Sequence, residues 1–218
     1  MPLMKKQDQK IIALPPVKPG KGKTVLRALK LRKTIREVGD KKIPLQLLSN
    51  LLWATCGVNR KKGPFGIPGR TSASASNSQE IDVYVLVKEG TFLYDPFKHR
   101  LLPVVEGDLR LLSINKAQEF LLAGAPLHFL YVADIHRLSH TKGYQEPGLQ
   151  DAEVQKSYYF TGTGLIAGNA SVYAASAGLV SWFHNCNKTP LKSKLKLGPE
   201  QKILFGHTFG YPAKRRKK

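Results

Sequence analysis

Two short stretches of the chain carry side chains whose types and spacing fit chemistry on a bound ligand. Arg32, Lys33, Thr34 and Arg36 form a compact RKTxR group. Two guanidiniums there can fork onto phosphate oxygens while the hydroxyl and backbone amides add donors. A solvated basic turn gives the same pattern, so the group alone leaves both readings open. The second stretch is RTSASASNSQEID, Arg70 to Asp82. Its small Ser72, Ser74 and Ser76 leave room for a planar ring to approach the backbone, and the amides of Asn77 and Gln79 are of the kind that read a heterocycle edge. A serine-rich surface loop is the competing reading.

The chain has no GxGxxG, P-loop, HExxH, CxxC or GxSxG pattern, which removes the common signatures of dinucleotide, triphosphate, zinc and serine-hydrolase chemistry. His128, His136, His140 and His207 show no metal-ligand spacing, so no metal is expected. Cys56 and Cys186 are the only cysteines and lie far apart, which argues against a disulfide framework or a structural zinc and for a reducing compartment. Cys56, closing an apolar run, reads as a buried thiol; Trp53 and Trp182 read as core or pocket wall.

These groups need a scaffold, and 218 residues with 42% hydrophobic and 23% charged side chains are enough for one globular body with a substantial core. Residues 1–23, rich in Lys, Pro and Gly, read as an extended basic arm, residues 24–212 as a single domain and residues 213–218 as a basic tail. Thr24 opens a short helix with Leu26, Leu29 and Leu31 as its apolar side. Pro44 precedes a second helix from about Leu45 to Cys56, capped by Gly57. The Gly- and Pro-rich stretch from Val58 to Ser72 is too long for a simple turn and reads as a functional loop.

From Ile81 the period becomes extended: IDVYVLV and TFLYD, joined at Glu89 and Gly90, predict a hairpin. Helical pieces around Leu109 and from Lys116 to Leu122 precede LHFLYVAD, whose unbroken apolar character predicts a central strand covered on both faces. Residues 138–150 are polar and turn-rich and suit a mobile lid. Asp151 caps a long, small-residue helix ending near Ala177. LVSWF, a short Lys-rich helix and KILFGHTFGYP follow. The pattern predicts an α+β fold with a mainly antiparallel sheet flanked by helices.

The charge is uneven. Residues 1–42 carry a balance of +10, residues 43–187 of +1 and residues 188–218 of +9, within a total of +20. A nearly neutral body between two cationic ends suggests either arms that hold a polyanion or two ends that meet at one anionic site. No apolar run approaches the roughly 20 residues that span a bilayer, so no membrane association is expected. MPLMKKQDQKIIALPP lacks an apolar region behind its basic residues, so a cytoplasmic protein is expected, with an exported form whose leader has been removed as the alternative.

The ordered runs LRKTIR, LLWATCGVNR, RTSASASNSQEIDVYV, YDPFKHRL, TGLIAGN through ASAGL, and GHTFGYP resemble the nitroreductase superfamily, specifically its SagB-type or thiazole-oxidase-like dehydrogenase branch. The similarity runs from about Leu14 to Pro212. It implies an α+β sandwich, a homodimer and FMN at the dimer interface. By the same resemblance Arg32, Lys33, Thr34 and Arg36 would hold the ribityl phosphate. Ala73, Ser74, Ala75, Asn77 and Gln79 would reach the flavin from the partner subunit, with Ala73 standing where the family has proline. Phe183, His184 and Asn185 would lie along the ring's N5 and O4 side, and Lys214 and Arg215 would return to the phosphate.

The flavin would carry the chemistry. No catalytic side chain is required, and His184 is a candidate proton donor only against the commoner structural role. Gly162 and Gly168 replace an Asp and a Gln that the family often has on the long helix. Lys142 and Tyr144, split by Gly143, replace the adjacent Lys-Tyr pair of azoline-oxidising members, so that oxidation is not expected. The implied function is FMN-dependent hydride transfer from NAD(P)H or an organic donor to a small acceptor such as a nitroaromatic or quinone. A basic nucleic-acid-binding protein without sequence readout, and a flavin-binding scaffold without catalysis, are the alternatives.

Overall fold

The computed structural model describes residues 10–18, 20, 22–119, 124–142 and 150–213. Among these residues nine strands form two sheets: β1 (Ile12–Ala13), β2 (Val58–Arg60), β3 (Gly69–Arg70), β4 (Ile81–Val87), β5 (Gly90–Asp95), β6 (Arg100–Glu106), β7 (Leu127–Asp134), β8 (Val180–His184) and β9 (Gln201–Gly210). The main sheet has the order β1-β6-β5-β4-β7-β9-β8, with each neighbouring pair antiparallel. The short β2-β3 pair spans the Gly- and Pro-rich loop.

The helices are α1 (Val25–Leu31), α2 (Leu45–Cys56), α3 (Ile135–Ser139), α4 (Ala152–Ser176) and α5 (Lys188–Lys194). α2 and α4 cover one face of the sheet through Leu51, Leu52, Ile166 and Ala170, packed on Val83, Val85, Phe129, Tyr131 and Phe209. α5 covers part of the other face, where Leu191 and Leu195 meet Leu86, Leu130, Val132 and Ile203. Cover on both sides is why β7 reads as a continuous apolar run instead of an alternation.

Local chemistry sets the boundaries. The Thr24 side chain accepts from the Arg27 amide at the start of α1, and the Asp151 carboxylate accepts from Glu153 and Val154 at the start of α4. Alanines at 167, 170 and 174 let α4 lie close to its neighbours. The basic arm is extended where it is described, yet it is fastened. Leu14 is buried, Ser49 donates to the Pro15 carbonyl, and Asn50 exchanges hydrogen bonds with the Lys18 backbone.

Two expectations need correction, and one strand was not foreseen. The apolar side of α1 faces outward: Leu26 is 81% exposed and Leu29 50%, and Ala28 is the residue that packs inward. LLPVVE forms β6, a strand that Pro103 concealed in the sequence because proline lacks the ladder donor. Leu138 and Ser139, assigned to the start of a lid, belong to α3. The helical pieces near Leu109 and Lys116 are 3-10 turns at Arg110–Ser113 and Lys116–Gln118; residues 120–123 and 143–149, including Tyr144, lie outside the described residues.

Candidate functional site

The basic turn leaves the end of α1 and runs beside β8. Thr34 bridges Ser181 and the Ile35 amide donates to the Ser181 carbonyl, which sets Arg36 5.0 Å over the Trp182 ring. Arg32, Lys33, Thr34 and Arg36 are all exposed, and none of the three cations is ion-paired among the described residues. The C-terminal segment comes to the same place. Val38 bridges Pro212, the Gly39 amide donates to the Tyr211 carbonyl and the Ala213 amide to the Glu37 carbonyl. Lys214 and Arg215 lie outside the described residues, but Ala213 delivers the chain to a neighbour of Arg36.

Phe183, His184 and Asn185 occupy the next step along this edge strand. Phe183 is 37% exposed on the α4 side, with its ring 4.7 Å from Phe205 and 5.6 Å from His207. His184 points to the other face. Its Nδ1 donates to the Asn185 carbonyl and its Nε2 faces the Thr208 hydroxyl at 2.8 Å, so both ring nitrogens are engaged internally and the side chain is structural. Burial lowers its pKa, the opposite of what a stored proton requires. Beside it, His128 is pushed down to about 3, chiefly by burial, with the nearby cations adding to the shift.

The serine-rich stretch closes the far end of the sheet. Ser76, Asn77 and Gln79 take φ of 46°, 54° and 52°, a left-handed backbone that costs side-chain-bearing residues roughly 1–2 kcal/mol each. Local bonds hold it. Ser74 Oγ accepts from the Gln79 amide, Asn77 Nδ2 donates to the Ile67 carbonyl, and Gln79 Nε2 donates to the Pro68 carbonyl and to Asn77 Oδ1. The amide nitrogens expected to read a heterocycle edge are therefore engaged inside the loop, while Gln79 Oε1 is buried with no partner among the described residues. Ala73 is exposed and Ser74, Ala75 and Ser76 are half-buried, so the part open to a ligand is this small-residue backbone.

Sequence reasoning missed the residue that anchors the loop. Arg137 of α3 donates to the Gln79 carbonyl and, with both terminal nitrogens, to the Asp82 carboxylate, and it also reaches Asp134 at 3.2 Å. The Asp134 cap of α3 three residues earlier was the available signal. Arg70 was also passed over. It is 7% exposed, its Nε has no hydrogen-bond partner, and burial lowers its pKa.

The register separates the groups. Thr34 sits at the Ser181 level, which pairs through Phe209 to Leu127; the serine-rich loop is fastened at Asp134, whose amide donates to the Glu80 carbonyl. Seven residue steps of β7 separate the two levels, about 24 Å at the rise of an antiparallel strand. One copy thus brings together the basic turn, the C-terminal segment and Phe183, and keeps its own serine-rich loop away.

The profile described as the Nitroreductase family matches residues 29–211. The chain belongs to that family. A protein of Methanocaldococcus jannaschii that carries the nitroreductase name is 27% identical over 151 residues, covering 66% of this chain and 75% of the relative. A crystal structure of a Ralstonia eutropha protein, also named as a nitroreductase, superposes with a TM-score of 0.80 at 30% identity, covering 96% of this chain and 92% of that one. The Vibrio harveyi NADPH:FMN oxidoreductase solved with NAD+ shares the fold at a TM-score of 0.61 and 14% identity, over 87% of this chain and 69% of its own. Membership makes the nitroreductase-family chain a flavoprotein oxidoreductase. Among its described residues no helix is long and apolar enough to cross a membrane, and no three His, Cys, Asp or Glu side chains gather as metal ligands.

Proposed function

We propose that this chain is an FMN-dependent homodimer of the SagB-type or thiazole-oxidase-like branch. It would move a hydride from NAD(P)H or an organic donor to a small acceptor such as a nitroaromatic or quinone. The observation that carries this reading is the union, in one copy, of unpaired Arg32, Lys33 and Arg36, the Thr34 hydroxyl, and the chain end leading to Lys214 and Arg215. These residues fit a phosphate dianion: several charge-assisted donors lie exposed along one turn, none of them ion-paired to a carboxylate among the described residues.

Two features support a second copy. The serine-rich loop is about 24 Å along the sheet from the basic turn of its own chain, so its open backbone at Ala73, Ser74 and Ala75 meets a ligand held there only across a dimer, with Asn77 and Gln79 shaping the loop from within. The exposed apolar side of α1, with Val25 at 69% and Leu26 at 81%, adjoins α4, where Leu165 is 46% exposed and Gly164 and Gly168 face open space. Such a surface marks an interaction site.

FMN held there would supply reversible two-electron chemistry, hydride transfer between donor and acceptor. The protein's work is positional. Arg32, Lys33, Thr34 and Arg36 would hold the phosphate, and Phe183 with the His184 and Asn185 backbone would wall the ring. The serine-rich backbone of the partner limits water on the other side.

The test is equilibrium binding of FMN and of riboflavin, which lacks the phosphate, to the purified protein and to Thr34→Ala and Arg36→Ala. Each variant is expected to weaken FMN by about tenfold, the loss of one charge-assisted contact, and to leave riboflavin unchanged. A colourless protein that takes up no FMN, or variants that weaken both ligands equally, overturns the assignment.

A further inference from the structure

We propose that the cationic cleft between the start of α4, the free edge of β9 and α5 binds the phosphate-bearing adenosine end of a reduced nicotinamide dinucleotide, and selects the 2′-phosphorylated form. This rests on the flavin reading above and names the donor for that site. The cleft is open on its outer side and has a volume of about 780 Å³, within the range of small-molecule sites. Lys188, Lys192, Lys196 and Lys202 line it, no acidic side chain is among its lining residues, and none of the four is ion-paired among the described residues.

Its floor is aromatic. Tyr159 and Phe160 line it, and Phe160, 37% exposed, offers a purine an apolar ring; Lys202 Nζ lies 5.5 Å over the Tyr159 ring and Lys188 Nζ 5.9 Å over the adjoining Phe205. β8 stops at His184, opposite Gly206, so β9 from Gln201 to Phe205 has no strand on that side and its edge is free to face a ligand. The cleft also leads to the redox site. Phe160 is 5.8 Å from Phe205, and Phe205 is 4.7 Å from Phe183. An adenosine end seated on the lysines therefore lies two ring contacts from the wall where the nicotinamide has to work. Four of the ten cations in the C-terminal 31 residues, surplus to one flavin phosphate, find a function here.

Calorimetric titration of the FMN-loaded protein with adenosine 2′,5′-bisphosphate and with AMP tests the assignment, beside Lys192→Glu/Lys196→Glu and the conservative Lys192→Arg/Lys196→Arg pair. The bisphosphate should bind at least about tenfold more tightly than AMP and compete with NADPH, and the glutamate pair should lose that margin. KM for NADPH should rise with kcat and flavin content unchanged, and the arginine pair should behave as the parent. Equal binding of the two nucleotides, or a glutamate pair that binds like the parent, overturns the proposal; so does a single-stranded oligonucleotide that displaces the bisphosphate in preference. The bisphosphate has no nicotinamide, so its binding is read without turnover. Protein that binds it but takes up no FMN refutes the flavin reading alone, and yellow protein that ignores it refutes the cleft alone.

Discussion

Arg137→Lys keeps the charge and removes the fork, which makes it the most informative change in the molecule. Arg137 makes four contacts, at 2.9 Å to the Gln79 carbonyl, 3.0 and 2.8 Å to the Asp82 carboxylate and 3.2 Å to Asp134. A lysine at that position retains one or two, because an ammonium cannot bridge a carboxylate and a carbonyl in one plane. Charge-assisted bonds contribute roughly 1.5–3 kcal/mol each when buried. The Arg137 side chain is 35% exposed, so solvent screening pulls the total well below their sum. The expected loss is about 2 kcal/mol, or roughly 4–8 °C in Tm for a chain of this size. Releasing the Gln79 carbonyl also frees a loop that holds three residues at positive φ, so FMN affinity should fall about fivefold or more. Thermal melting with and without FMN, with flavin titration, reads both effects. An unchanged Tm refutes the clamp. A lowered Tm with unchanged FMN affinity refutes the placement of the serine-rich loop at the flavin.

Stability should depend on histidine protonation. Burial holds His128 near 3 and His207 well below the usual range, so the unfolded chain binds two protons below pH 6.5 that the native state refuses. Their contribution is complete above pH 6.5 and declines as pH falls. Between pH 7.5 and 5.5 it costs about 3 kcal/mol, measurable as a shift in urea midpoint; an unchanged midpoint would show that these rings are solvated. Asp95 and Asp108, whose pKa values are lowered, act only in the more acidic carboxylate range. Both cysteines are buried, with pKa values raised to about 11 by desolvation. At pH 8 a thiol reagent should find roughly a thousandth of each as thiolate and react only after denaturant is added; rapid modification of the native protein would place one of them at the surface.

The architecture was legible where apolar period and caps agree. Leu45–Cys56, Ile81–Val87 and Leu127–Asp134 announce themselves by spacing, and Thr24 and Asp151 by capping chemistry. Individual side-chain direction was not. Asn77 and Gln79 look like ligand readers in a list of residues, yet a left-handed loop has orphan groups of its own, and the amides satisfy the Pro68 and Ile67 carbonyls first. The outward leucines of α1 read as core because a helical stripe does not say whether its cover is the same chain or another. Arg137 and the four cleft lysines escaped because each acquires meaning only from residues distant in sequence: Arg137 from Asp82 and the lysines from Tyr159 and Phe160.

Three glycines of α4 turn the question of cover into a sign. At Gly162 a methyl group would sit 2.7 Å from Glu80 Oε1, and that carboxylate is 1% exposed and accepts from Ser78 through its other oxygen. The helix position that lacks an acidic side chain is thus occupied by one from the residue before β4, and Gly162 is the gap that admits it. Gly162→Ala should cost about 1–3 kcal/mol through overpacking. At Gly164 and Gly168 nothing lies within 4 Å of the added carbon. In a lone chain alanine there gains up to about 1 kcal/mol of helix propensity each. If a second copy packs on α4, the same methyls are forced into it, and Gly164→Ala/Gly168→Ala should lower Tm and shift the sedimentation equilibrium towards monomer. A double variant that melts higher and keeps its mass would refute α4 as the dimer face, and with it the route by which the partner's serine-rich loop reaches the phosphate-held ring.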